Sequence, residues 1–125
     1  MTDLATTTSS STAPAVAPYV ARHPGRALRV PVRRLDYHVT AWTIGAEPAG
    51  AAPLVLLHGW MEVGASFQFV VDALAEAGLP ARSVLAPDWR GFGGTRCPGV
   101  DSHAFTDYLG DLDALLDALA PGTAV

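Results

Sequence analysis

The sequence predicts an α/β fold: an antiparallel hairpin, then a strand–helix–strand unit, then one further amphipathic helix. Three observations carry this. Residues 26–45 alternate apolar and polar side chains in two short runs. Two apolar runs, 54–57 and 83–88, flank a stretch with apolar residues at spacings of three and four. Residues 102–120 carry a longer stripe of that same period. A period of two marks a pleated strand and one near 3.6 marks a helix, because side chains return to one face at those intervals.

A chain of 125 residues, half of them apolar, suffices for one domain with a modest core. The net charge of −4 argues against nucleic acid as a partner. No segment approaches the roughly 18 apolar residues needed to span a bilayer. The N-terminus lacks the basic start and long apolar block of a secretory signal. The expectation is a soluble, cytoplasmic protein with no membrane partner. A single cysteine, Cys97, excludes an internal disulfide and fits a reducing compartment. It lies in a polar loop and reads as an inert thiol. No cofactor and no metal are expected.

The first 22 residues are rich in Thr, Ser, Ala and Pro and have little to bury. They read as a disordered tail, with the folded unit over residues 23–125. Leu28, Val30 and Val32 then share one face, with Arg29 and Arg33 on the other. Tyr37, Val39 and Ala41 alternate with His38, Thr40 and Trp42. Two such runs joined closely make a hairpin. Pro31 cannot donate a ladder bond, which puts the first strand at an edge. His38 reads as a half-exposed sheet residue, since no second metal ligand lies at useful spacing. Residues 46–52 form a loop.

The organising stretch is residues 53–66, PLVLLHGWMEVGAS. Four apolar residues, Leu54 to Leu57, suit a strand buried on both faces. They stop abruptly at His58-Gly59-Trp60, where the glycine permits a sharp turn. A helix follows over residues 66–77, with Phe67, Val70, Val71, Leu74 and Ala75 as its apolar stripe. Gly78 and Pro80 stop it. A second apolar strand, residues 83–88, completes a βαβ unit with parallel strands. At the tip of such a strand, exposed backbone N–H groups can receive an anion.

The next loop, Asp88-Trp89-Arg90-Gly91-Phe92-Gly93-Gly94-Thr95, has three glycines in four positions. Gly91 and Gly93 fit a dinucleotide fingerprint, but its third glycine is replaced by Arg96, which excludes that site. A P-loop is excluded because the chain has no lysine. The last helix carries Phe105, Tyr108, Leu109, Leu112, Leu115, Leu116 and Leu119 on its stripe. Asp101 or Ser102 serves as N-cap, and Pro121-Gly122 ends the helix. Asp107, Asp111, Asp113 and Asp117 read as its solvated face, and the five arginines between positions 22 and 34 as a solvated strand pair. His103 reads as exposed. Residues 123–125 look like the start of another strand.

Taken together, strand, His58-Gly59-Trp60, helix, strand, Asp88-x-Arg90-Gly91-x-Gly93-x-Thr95 and amphipathic helix resemble the N-terminal part of the α/β-hydrolase family. The resemblance covers about residues 28–125 and is closest to the serine-hydrolase-like branch with His-Gly-Trp. Epoxide hydrolases and dehalogenases of that fold usually carry a proline two places after the glycine. Here Met61 stands there, followed by Glu62. The resemblance implies that Trp60 supplies a backbone N–H of the oxyanion hole and that Gly59 permits the turn aiming it. It implies a bracing role for His58, and a scaffolding role for Asp88, Arg90 and Gly91.

That family's nucleophile sits on a Gly-x-Ser-x-Gly turn, which this sequence does not contain. The expectation is therefore an N-terminal hydrolase fragment that keeps the oxyanion turn but lacks nucleophile, acid and base. The complete protein would act on a small-molecule acyl substrate. In the family's strand order, residues 54–57 would become an open edge, inviting self-association or a complementing C-terminal chain. Two alternatives stand beside it. One is a non-catalytic module holding a small anion. The other is the epoxide hydrolase or dehalogenase branch, with an aspartate nucleophile.

Overall fold

The computed structural model describes residues 8–9, 12–46 and 50–122. β1 (Arg26–Val32) and β2 (Leu35–Ile44) pair as an antiparallel hairpin. Arg33 and Arg34 make its turn with φ of 47° and 67°. Two consecutive left-handed residues give the turn the twist the strands need, at a steric cost glycine would avoid. There follow β3 (Leu54–Val55), a 3₁₀ turn (Gly64–Phe67), α1 (Gln68–Glu76), β4 (Arg82–Pro87) and α2 (Phe105–Leu119).

Among the described residues the strand order is β1-β2-β4-β3. β4 runs antiparallel to β2 and parallel to β3, as a βαβ unit requires. Pro31 indeed lies on an outer strand. β3 is shorter than the apolar run predicts: after Val55 only Leu56 N–H still reaches Leu85 O, at 2.8 Å. It is half-buried rather than enclosed, because β4 is its single neighbour among these strands.

The period-two pattern sorts side chains onto two faces. Trp42, Ile44, Val84 and Ala86 meet Val71 of α1 on one. Tyr37, Val39, Ala41 and Leu85 lie on the other, where Leu115 and Leu119 of α2 pack. Fully burying a valine, leucine or isoleucine there is worth about 1.5–3 kcal/mol relative to exposure. Cys97 is half-buried and packs against the second of these clusters.

Both helices start later than the spacing suggests. Val70 is exposed although it falls on the α1 stripe, and so are Phe105 and Leu109 of α2. The N-cap of α2 is Ala104, not Asp101 or Ser102. Asp107 takes over the capping role from inside the helix: its carboxylate accepts Ala104 N–H at 3.1 Å and the Ser102 hydroxyl at 2.6 Å.

Asp111 overturns the solvated-face reading. It is buried, whereas Asp113 and Asp117 are exposed. Arg90 meets its carboxylate with two bonds, Nε at 2.7 Å and Nη2 at 2.8 Å. Tyr37 donates at 2.7 Å and Arg33 at 3.0 Å. Burial by itself would raise the Asp111 pKa, but the Arg90 and Tyr37 hydrogen bonds hold it below the ordinary 3.8. Burial, with the hydrogen bond to Asp111, pushes the Tyr37 phenol well above its usual range. Arg33 crosses the helix close over Gly110, where a Cβ would meet its guanidinium.

The N-terminal approach to the sheet is anchored on α1. Asp72 is buried and accepts from the Tyr19 hydroxyl, Arg22 N–H at 3.1 Å and His23 N–H at 2.9 Å. The Tyr19 bond comes first in holding Asp72 well below the usual carboxylate range. Tyr19 and Arg22, within the expected tail, are thus bonded to α1. Most of residues 1–11 and the strand start read at 123–125 lie outside the described residues.

Removing one partner of a buried ion pair leaves the other charge unpaired. Asp111→Ala should cost about 3–5 kcal/mol in urea unfolding, against about 0.5 kcal/mol or less for Asp113→Ala. The sign of the pH dependence follows from Asp72, Asp107 and Asp111, all depressed in the folded state. Their contribution is present above the unfolded value near 3.8 and is lost as pH falls through the lower folded values. Thermal melts should therefore weaken below about pH 4, and Asp72→Asn should flatten that decline.

Candidate active site

β3 and β4 run parallel, so their C-terminal ends open on one side of the sheet. There the turn His58-Gly59-Trp60 faces the loop that starts at Asp88. In open sheets of this kind, ligands gather outside the carboxyl ends of the strands.

Trp60 sits in a turn outside any helix, and its amide donates to no main-chain carbonyl among the described residues. Its indole is 80% exposed and meets the Phe92 ring edge-on at 5.4 Å. The preceding amide is occupied: Gly59 N–H donates to Glu62 Oε2 at 3.2 Å. Between them Met61 adopts φ +61°. This left-handed kink folds Glu62 back onto the turn. Proline, locked near φ −65°, cannot adopt it.

His58 is buried. Its Nε2 lies 3.0 Å from the Trp89 backbone N, and its Nδ1 lies 2.8 Å from Gly59 O. The Trp89 indole Nε1–H in turn donates to His58 O at 3.0 Å.

Asp88 gathers three segments. Its carboxylate accepts Gly64 N–H at 2.7 Å and Gly94 N–H at 2.8 Å, and meets His38 Nδ1 at 2.9 Å. Thr95 closes the same knot, donating to Asp88 O at 2.6 Å and accepting His38 N–H at 3.0 Å. His38 is half-buried as its alternation implies, but its partner stands 50 residues away. Gly64 presses on β4, where a Cβ would strike Ala86 O. Gly91 has φ +79°, and His103, exposed as read, lies over it.

Arg90 carries the loop to α2 through Asp111, and its Nη1 also donates to Ser102 O at 3.0 Å. The Asp111 ion pair holds its pKa above the usual arginine value. Between turn and helix lies a depression of about 330 Å³, lined by His58, Trp60, Trp89, Phe92, Tyr108 and Leu112 among others. Among the described residues, no group of three His, Cys, Asp or Glu side chains converges as metal ligands.

The family model for the alpha/beta hydrolase fold matches residues 52–125. The chain belongs to the α/β-hydrolase family. Among curated proteins it is 36% identical over 83 residues to epoxide hydrolase A of Mycobacterium tuberculosis, covering 66% of this chain and 25% of that protein. It is 41% identical over 73 residues to epoxide hydrolase 1 of Siraitia grosvenorii, covering 57% and 22%. Among solved structures it superposes on epoxide hydrolase A of Mycobacterium thermoresistibile with a TM-score of 0.62 and 27% identity, covering 82% of this chain and 30% of that one. The chain thus spans about a quarter of the length of these curated relatives.

The site residues singled out in the sequence, His58, Gly59, Trp60, Asp88, Arg90 and Gly91, lie at this end of the sheet. The reading missed Trp89, His38, Tyr37 and Glu62 as partners. For Asp111 the signal was present: it stands three residues after Tyr108 and four before Leu115, on the packed stripe itself.

The backbone at position 61 gives a direct test. Met61→Pro should destabilise the chain by more than about 1 kcal/mol, because the turn must rebuild. Met61→Gly, free to adopt φ +61°, should melt close to the wild type in thermal scans.

Proposed function

We propose that this chain supplies the oxyanion-binding end of an epoxide-hydrolase active site. The reading rests on the Trp60 amide at the carboxyl end of the sheet, which has no acceptor among the described residues, in a chain whose curated relatives above are epoxide hydrolases. The same relatives favour this chemistry over the serine-type ester hydrolysis that the His-Gly-Trp turn suggests. In this reading an aspartate from another segment of the complete protein opens the epoxide C–O bond. The opened oxygen takes up a proton, and the enzyme is left carrying an ester. Water, losing its proton to a base on that other segment, then attacks the ester carbon; Trp60 N–H receives the charge developing on the carbonyl oxygen, and the ester C–O bond breaks to release the diol and restore the aspartate. Gly59 permits the turn, His58 braces it, and Asp88, Arg90 and Gly91 hold the loop beside it. The substrate is a small molecule with an apolar body, matching the aromatic lining.

The free side of β3 belongs to the same proposal. Among the described residues its backbone groups on that side have no strand partner, beside half-buried leucines, and a further parallel strand would satisfy them. By itself the 125-residue chain should self-associate in sedimentation. A monodisperse monomer with a cooperative melt contradicts this.

The activity test uses a polypeptide in which this sequence is joined to a nucleophile-bearing segment. Diol release from an aryl epoxide should survive Trp60→Ala, which keeps the amide. It should fall about 10²–10³-fold in Trp60→Pro, which deletes it. Ester turnover abolished by a serine-directed inhibitor, with no diol formed, overturns the reading.

A further inference from the structure

We infer that Trp89 is the positioning residue of the His58-Gly59-Trp60 turn, and that it acts by holding His58 as a fixed Nδ1–H imidazole. The ladder between β3 and β4 ends with Leu56 N–H on Leu85 O. Beyond it, two bonds between His58 and Trp89 replace the missing rungs. Trp89 N–H donates to His58 Nε2, and Trp89 Nε1–H donates to His58 O, each at 3.0 Å.

The partners fix the tautomer. A backbone N–H can only donate, so Nε2 must present its lone pair. A carbonyl oxygen can only accept, so Nδ1 must carry the hydrogen toward Gly59 O at 2.8 Å. Both ring nitrogens are engaged and the side chain is buried, which leaves none to move a proton to a ligand. The indole is itself wedged. Its ring meets the His58 ring edge-on at 6.4 Å and the Tyr108 ring edge-on at 5.7 Å. Tyr108 is pinned in turn, donating to Arg90 O at 3.2 Å. Placement thus passes from α2 through Tyr108 and Trp89 to the carbonyl of His58, two residues before the amide of Trp60.

The positioning role rests on the reading of Trp60 as the donor, but the clamp is tested without turnover. In ¹⁵N-histidine spectra of the joined polypeptide used for the activity test, His58 should show the Nδ1–H tautomer with a bare Nε2. An Nε2–H form overturns the inference with no variant needed. His58→Gln places an amide oxygen near the former Nε2, whereas His58→Phe offers no acceptor. Hydrogen exchange at the Trp89 amide should stay within about threefold of wild type in the first and rise at least tenfold in the second. Equal exchange in the two variants counts against the clamp. Trp89→Phe should sharpen the contrast by broadening the Gly59 and Trp60 amide resonances while the β1–β2 amides stay unchanged. Failure of epoxide turnover with these spectra intact leaves the clamp standing and removes only the functional reading.

Discussion

Three consecutive residues just past the end of β4 hold the carboxyl end of the sheet together, and each reaches a different element. Asp88 binds the turn before α1, the glycine loop and His38 of β2. Trp89 binds the turn after β3. Arg90 binds α2 through Asp111. Strand residues alternate direction, so neighbours at a strand's tip naturally serve opposite faces. β4 lies between β2 and β3, which is why its tip can reach all of them.

The electrostatics follow from this arrangement. Two buried carboxylates, Asp88 and Asp111, accept hydrogen bonds in a region with little water. Asp111 has two guanidiniums for company. Asp88 relies on backbone amides and one imidazole. A buried carboxylate is tolerable only when its oxygens are so engaged. These polar knots fix loop positions, whereas the apolar clusters on either face of the sheet supply most of the burial. The division suits the proposed site, whose working group would be a main-chain amide. Such a group cannot be aimed by choosing a rotamer, so its aim depends on how rigidly the surrounding turns are held.

Met61 and Glu62 illustrate how a departure from a family pattern becomes structure. The left-handed backbone at Met61 is closed to proline, and it brings Glu62 onto the Gly59 amide. The turn is thus closed locally by a carboxylate rather than by a stiff ring, and the next amide, Trp60, has no hydrogen-bond acceptor among the described residues.

Element types, the hairpin and the parallel pair were legible in the sequence because they depend on local periodicity and short connections. The alternation in residues 26–45 gave the hairpin, and Pro31 placed it at an edge. The glycines at 59 and 91 marked sharp turns. Exposure was less legible: Val70, Phe105 and Leu109 fit an apolar stripe and yet face outward, because periodicity says which residues share a face and not what covers it. Partnerships were not legible at all. His38 and Asp88 stand 50 residues apart, and Tyr37 and Asp111 stand 74 apart. Only the crossover from β3 through α1 to β4, which sets β4 against β2, brings them within hydrogen-bond distance. The chain by itself determined where it turns and which faces are apolar. The tertiary structure decided which charges are buried and what restrains the Trp60 turn, because those depend on groups that meet only after the sheet has assembled.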